Sequence, residues 1–426
     1  MSASRPRTVF TGLGLITPLG ATPVDFWQAL LAGRCGIKPI SLFDATGLPV
    51  RIAGEISDFD AKIYFDKKDR KSLKMMARAI QLGVSASLLA LKDAGVSTET
   101  IDPTRIGIDF GAGLIASELE ELIPAAELST PEPKTQVDIH SWGAKGLTVM
   151  PPLWMLKYLP NMPACHISIL ANLQGPSNTI TEDEVAPLQA MAEAQRIIQR
   201  GLADVMLTGG TDSRINILSL SRLTLFNEFS KRNEEPSQAC RPFDAGRDGK
   251  VLGEGAGILV LEELEHARKR GAKIYGELLG CGSAFDRQRD GSGVARAIRS
   301  ALQHACVGPE QIDHINAHGF STPRDDAVEA RGIVAAFDGQ APPVWAVKGN
   351  VGNMGAAGGS TELAASLLAL QHGQVPGTLN YETPDPACPV AVLTGPPRPI
   401  KKACVLKLSF TDMGQCAAAV IRRWPD

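Results

Sequence analysis

Short apolar runs that end on glycine alternate with helix-length amphipathic segments from one end of the chain to the other, and the alternation starts over midway. No other feature limits the fold as much, because strands covered on both faces and joined by helices build layered α/β sheets. In the first half, strand-like runs are residues 8–15, 105–110, 166–170, 203–208 and 258–261, with Gly209-Gly210-Thr211-Asp212 expected to turn off the end of the fourth. Helical spacing predicts helices over 23–32, 73–94, 188–200 and 262–270, and Gly95 stands where a left-handed cap would close the second. In the second half, strands are expected at 276–282, 312–317, 344–347, 402–408 and 417–422, and helices at 292–305, 325–337 and 360–370. The two parts, 1–264 and 265–426, have comparable make-up, which points to an internally duplicated unit.

Several function classes drop out early. The 43 basic and 46 acidic side chains nearly cancel, so there is no field suited to nucleic acid or an anionic membrane. No apolar run approaches a membrane span, and the first residues, MSASRPR, lack the apolar core of a signal peptide and read as a short disordered lead-in. The eight cysteines show neither CxxC pairing nor metal-ligand spacing, as suits reduced thiols, and a cytoplasmic location is expected. Gly12 and Gly14 invite a dinucleotide-loop reading, which Thr17-Pro18 interrupts. Cys165 and His166 are neighbours whose side chains diverge on a strand, so they make no nucleophile-base pair.

The stretch that carries the functional question is 175–187, GPSNTITEDEVAP, which ends a strand-building region and opens a helix. Together with TGLGLITPLG at 11–20, FWQALLAGRCGI at 26–37, ADVMLTGGTDS at 203–213, RPFDAGRDGKVLGEGAGILVLE at 241–262, INAHGFSTPRDDAVE at 315–329 and VPGTLNYETPDP at 375–386, it makes the chain resemble the β-ketoacyl-acyl-carrier-protein synthases of the thiolase-like superfamily. The resemblance covers nearly the whole chain, with the motifs in order. It implies a five-layered αβαβα fold of two similar halves, and a homodimer or a heterodimer with a cysteine-bearing ketosynthase. It also implies acyl thioesters delivered by an acyl carrier protein. No cofactor of the chain's own is implied, since the phosphopantetheine arm belongs to the carrier.

In the family, a cysteine at the head of a buried helix takes up the acyl group, its thiolate favoured by the helix dipole. Two histidines, or a histidine and an asparagine, then stabilise the enolate oxygen. Carried over by motif, the cysteine's position holds Glu184, the first histidine is His318, and the second is Asn353. Phe320 replaces the threonine after His318; Lys348 keeps its place; Phe410 survives in a gate that now reads Ser409-Phe410-Thr411-Asp412-Met413-Gly414-Gln415. Glu184, His318 and Asn353 are thus the candidate catalytic residues. Phe320, Lys348, Phe410 and Thr411 are the candidate substrate-binding ones, with Lys348, Asp326 and Glu329 also in positions that suit structural salt bridges.

Glu184 has two readings. Thr181-Glu182-Asp183-Glu184 matches a capping box, in which its carboxylate would only satisfy a free amide at the helix start. Alternatively it enters the pocket, where a carboxylate is a poor nucleophile toward a thioester. The expected function follows from that loss: a partner subunit of the chain-length-factor kind, which shapes the acyl tunnel of a cysteine-bearing ketosynthase. The alternative is an enzyme working without a covalent acyl-cysteine, by malonyl decarboxylation or non-covalent acyl transfer through Glu184, His318 and Asn353.

Overall fold

The computed structural model describes residues 5–425, so most of the expected lead-in, residues 1–4, lies outside the described residues. The first half supplies β1 (Thr8–Ile16), β2 (Ile106–Ala112), β3 (Ser177–Ile180), β4 (Val205–Asp212) and β5 (Gly255–Glu263). The second supplies β6 (Gly276–Phe285), β7 (Ile312–Asn316), β8 (Val344–Trp345), β9 (Cys404–Phe410) and β10 (Gln415–Arg422). The first five run in the order β3-β2-β4-β5-β1 and the second five in the order β8-β7-β9-β10-β6. These are the same order twice, and in both the fifth strand is the antiparallel one. β1 joins β6 through Thr8↔Leu278, Val9↔Glu277 and Phe10↔Gly276, which links the two sets into one ten-stranded array.

Helices fill the layers by the same repeat. In each half a long helix lies between the first and second strands, α1 (Arg78–Ala94) and α3 (Ser292–Ala305), preceded in the first half by the shorter helix Pro23–Leu31. Another lies between the third and fourth, α2 (Ala186–Gln199) and α5 (Gly358–His372), while α4 (Pro323–Ala336) is added after β7. The central core combines Leu188, Met191 and Ile198 of α2 with Leu363, Leu367 and Leu370 of α5, between Leu259 and Leu261 of one sheet and Val405 and Ile421 of the other. α1 closes a second core outside the first sheet, and α3 with α4 a third outside the second. The five layers expected from the resemblance are present.

Local chemistry explains the boundaries. Thr322 accepts from the amide of Asp325 to cap α4, and Pro323 takes the first helical position. α1 ends on Gly95 at φ +62°, the expected left-handed cap. Gly12 and Gly14 hold no cofactor loop: a Cβ at either would run into the Ala90 or Ala86 carbonyl, so they let α1 lie close on β1.

Two expectations are corrected. Residues 166–170 form no strand but lie within a helix, Met162–Ala171, which Pro163 starts and which buries Ile167. A short apolar run does not distinguish the two by periodicity. The edge strand is instead the polar Ser177–Ile180, paired on one side with β2. Gly209-Gly210-Thr211-Asp212 does not turn, because β4 continues to Asp212 with each of the four paired to β5.

One buried carboxyl in this scaffold has no hydrogen-bond partner among the described residues. Asp109 on β2 is fully buried, and burial, with Glu193 adding repulsion, pushes its pKa up to about 7. Since the folded value lies above the unfolded one, its protonation favours the fold below about pH 4 and that contribution is lost as pH rises to about 7. Asp109→Asn should therefore gain on the parent by up to ~4 kcal/mol between pH 4 and 7, three units at ~1.4 each. Denaturant unfolding of both proteins across that range checks it; a pH-independent difference contradicts it.

Candidate functional site

β3 runs into a single 3-10 turn, Asp183–Val185, and α2 begins directly after it with Pro187 in its first turn. Asp183 sits at φ +48°, an uncommon conformation for a residue with a side chain. It is pinned there by Arg214, which also binds Asp212 at 2.9 Å. This bend turns Glu184 inward. Its side chain is 5 % exposed, and Oε1 accepts a 3.0 Å hydrogen bond from Asn353 Nδ2. The capping-box reading is thereby corrected: neither the 3-10 turn nor α2 has a side-chain cap bond.

Asn353 is fixed from the other half. Its backbone donates to Val251 at 2.7 Å and accepts from Gly253 at 2.8 Å, so the glycine-rich 241–257 loop sets its position. Burial, reinforced by Asp183, raises the pKa of Glu184, against opposition from Arg214, Lys250 and the Asn353 bond. The net direction favours the neutral acid.

His318 follows β7 and is completely buried. Glu329 on α4 accepts from the His318 and Gly319 amides at 2.6 and 2.8 Å, and Asp326 accepts from those of Phe243 and Ser321. Burial pushes both carboxyls up to about 7. Lys348 Nζ meets three acceptors, His318 Nδ1 at 3.1 Å, His318 O at 2.9 Å and Glu362 Oε1 at 2.7 Å. An ammonium has three protons, and three are used. His318 Nδ1 is therefore an acceptor, and since burial followed by Lys348, Lys407 and Lys250 drives its pKa well below the ordinary value, the ring is neutral with its proton on Nε2. That Nε2 has no partner among the described residues, and neither has Asn353 Oδ1.

The other sequence candidates fall into two groups. Phe320 and Phe410 pack on the imidazole at ring-centroid distances of 4.2 and 5.1 Å, forming a three-ring cluster with it. Lys348 and Thr411 are committed elsewhere: the ammonium as above, and the hydroxyl to Gln415 Oε1 at 2.5 Å. As arranged, Lys348 has no proton left for a ligand, so it positions His318 rather than binding substrate. Asp326 and Glu329, for their part, act on backbone amides more than as salt-bridge partners, although Arg247 Nε lies 3.6 Å from Asp326.

Four functional neighbours escaped the sequence reading. Glu362 on α5 and Lys407 on β9 complete the ion cluster, with Lys407 Nζ 2.5 Å from Glu362 Oε2. Arg214 holds the Asp183 bend, and Lys250 lies with its ammonium 5.2 Å from the Phe320 ring centre. The available signal was a lone charge inside an apolar run, as Lys407 stands in CVLKLSF and Glu362 in GGSTELAASLLAL. Cys240 and Cys416 are buried with their thiol pKa values raised by desolvation, that of Cys416 to about 12, and Cys416 bonds the Gly414 carbonyl.

Comparison with known proteins agrees with this architecture. The Beta-ketoacyl synthase N-terminal domain family matches residues 6–267 and the Beta-ketoacyl synthase C-terminal domain family residues 275–382. A 3-oxoacyl-[acyl-carrier-protein] synthase 2 from Synechocystis sp. is 37 % identical over 99 % of each chain. Among solved structures, the ishigamide ketosynthase/chain length factor superposes with a TM-score of 0.87 at 29 % identity, covering 99 % of this chain and 100 % of the other. A type II PKS acyl-carrier protein in complex with its ketosynthase bound to the hexaketide superposes with 0.85 at 26 % identity, with 99 % and 100 % coverage.

Proposed function

The chain belongs to the β-ketoacyl synthase family, and from that premise we propose that it is a non-condensing subunit, a chain-length-factor-like partner of a cysteine-bearing ketosynthase that handles acyl-carrier-protein thioesters in fatty-acid or polyketide synthesis. One observation carries the reading: the group at the head of α2 is a buried carboxyl bonded to Asn353, and its neutral form is favoured. A carboxylic acid does not attack a thioester, so covalent acyl transfer has no nucleophile there.

Pairing is supported by the surface beside it. β3 is a sheet edge, with a neighbour on one side among the described residues. Leu114, Ile139, Leu153, Met155 and Ile169, from the segments around it, are each at least 60 % exposed. A free edge flanked by apolar side chains is a surface that a second chain covers.

A second reading rests on His318. Its Nε2 proton is unpartnered and its orientation is held by Lys348 and Glu362, which suits an oxyanion donor in malonyl decarboxylation or non-covalent acyl transfer with Glu184 and Asn353. The test is to purify the chain alone and with a cysteine-bearing relative, supplying malonyl- and acyl-carrier protein. A one-to-one complex whose product forms only when both chains are present is the expected result. Carbon dioxide release by the chain alone, abolished in His318→Ala, would replace the partner reading with the second.

A further inference from the structure

Of the cations around the pocket, Lys250 is the one whose charge is least committed. Lys348 and Lys407 share Glu362, and Arg214 is held by Asp183 and Asp212. Lys250 is 7 % exposed, yet its only carboxylate partner among the described residues is Asp412 at 3.3 Å, beyond the usual 2.7–2.9 Å of a charge-assisted bond. The Asp412 side chain is itself 38 % exposed, on the turn that follows Phe410. The faces of Phe320 and Phe229, with ring centres 5.2 and 5.9 Å away, hold the ammonium in place independently of Asp412.

A cavity of about 140 Å³ opens beside this pair, its charged lining made of Lys250, Arg289 and Arg324 with Asp412, Asp325 and Glu228. Arg289 is paired with Asp325 at 3.1 Å. Inward of Lys250, beyond the Phe320 ring, lies His318 with its unpartnered Nε2 proton. An anion entering the cavity therefore meets a nearly dry ammonium whose present counter-ion can swing to solvent at small cost.

We propose that Lys250 is the binding residue for a free carboxylate on the acyl group of a thioester ligand, and that Asp412 is a built-in stand-in which that carboxylate displaces. The proposal deepens the thioester-handling reading above and rests on it, but it does not depend on the pairing of two chains. A ligand carboxylate drawn within 2.7–2.9 Å of a desolvated ammonium gains more than the loose Asp412 contact supplies. An acyl carboxylate held as an ion pair is stabilised in its ground state, which opposes loss of carbon dioxide and suits a subunit that retains rather than condenses its ligand.

The experiment is calorimetric titration of the full chain with malonyl-pantetheine and acetyl-pantetheine, which lack phosphate and differ in the terminal carboxylate. The parent should bind the malonyl compound at least tenfold more tightly. Lys250→Met should bring the two within twofold of each other, Lys250→Arg should keep the preference, and Asp412→Asn should tighten malonyl binding severalfold. A parent that binds both equally, or neither, overturns the assignment, as does a preference that survives in Lys250→Met. Phosphopantetheine without an acyl group serves as the third ligand: if it binds as tightly as malonyl-pantetheine and loses as much in Lys250→Met, Lys250 is a phosphate site and the carboxylate assignment is wrong. The pairing assay uses none of these variants, so either conclusion can fail alone.

Discussion

Glu184→Cys is expected to give a chain that takes up one acyl group per polypeptide, where the parent, on the function proposed above, takes up none. The substitution places a thiol at the head of α2, where the helix amides favour the thiolate and Arg214 and Lys250 add positive charge on the same side. The Asn353 backbone is held by Val251 and Gly253, and His318 by Lys348 and Glu329, contacts that do not involve Glu184. Incubation with acyl-carrier protein followed by intact-mass measurement should show the acyl increment in the variant and none in the parent. A thiol that iodoacetamide modifies but that no acyl donor loads would mean that the surrounding pocket is lost along with the nucleophile, against the reading that only one side chain was exchanged.

The largest stability effect should come from a residue outside the pocket itself. Glu362→Gln should destabilise the protein by about 3–5 kcal/mol at pH 7, because it removes the one carboxylate shared by two buried ammonium groups. Even with Glu362 present, burial holds Lys407 down to about 8. A lysine whose folded pKa lies below its unfolded value weakens the fold while it is charged, and that penalty is relieved as pH rises from about 8 toward the ordinary lysine value. Without Glu362 the lysine sheds its proton earlier still, so the deficit should shrink between pH 7 and 9.5. Guanidinium unfolding at both values tests this; a deficit under 1 kcal/mol at pH 7 would show that the cluster is compensated some other way. The same variant should disturb His318, whose Nδ1 is held by Lys348.

Much of the fold was legible from local pattern. The helix at 292–305 is the observed Ser292–Ala305, and the expected cap at Gly95 is in place. The failures share a physical origin. At 166–170 an apolar run without strong periodicity took the helical form because Pro163 opened a turn and the outer core needed Ile167. At 209–212 glycines that resemble a turn were required for contact, since a Cβ at Gly210 would strike the Ala356 carbonyl. Motif order was enough to single out Glu184, His318 and Asn353 as candidates, and the structure buries all three. Whether Glu184 capped a helix or faced inward was not readable from it, because both need a carboxylate at the same place in the sequence. Lys250 and Glu362 were missed because their partners lie far off along the chain, Asp412 for one, Lys348 and Lys407 for the other.

By itself, then, the sequence determined the layered α/β class, the duplication and the family, all of which are written in local periodicity and ordered motifs, and it singled out Glu184 as the residue on which the proposed function turns. Only the tertiary structure decided what Glu184 is: a buried acid bonded to Asn353, with the bend at Asp183 turning it inward and Arg214 and Lys250 opposing its neutral form. Protonation and orientation depend on desolvation and on charges delivered from distant segments, and these exist only once the two halves have packed against each other.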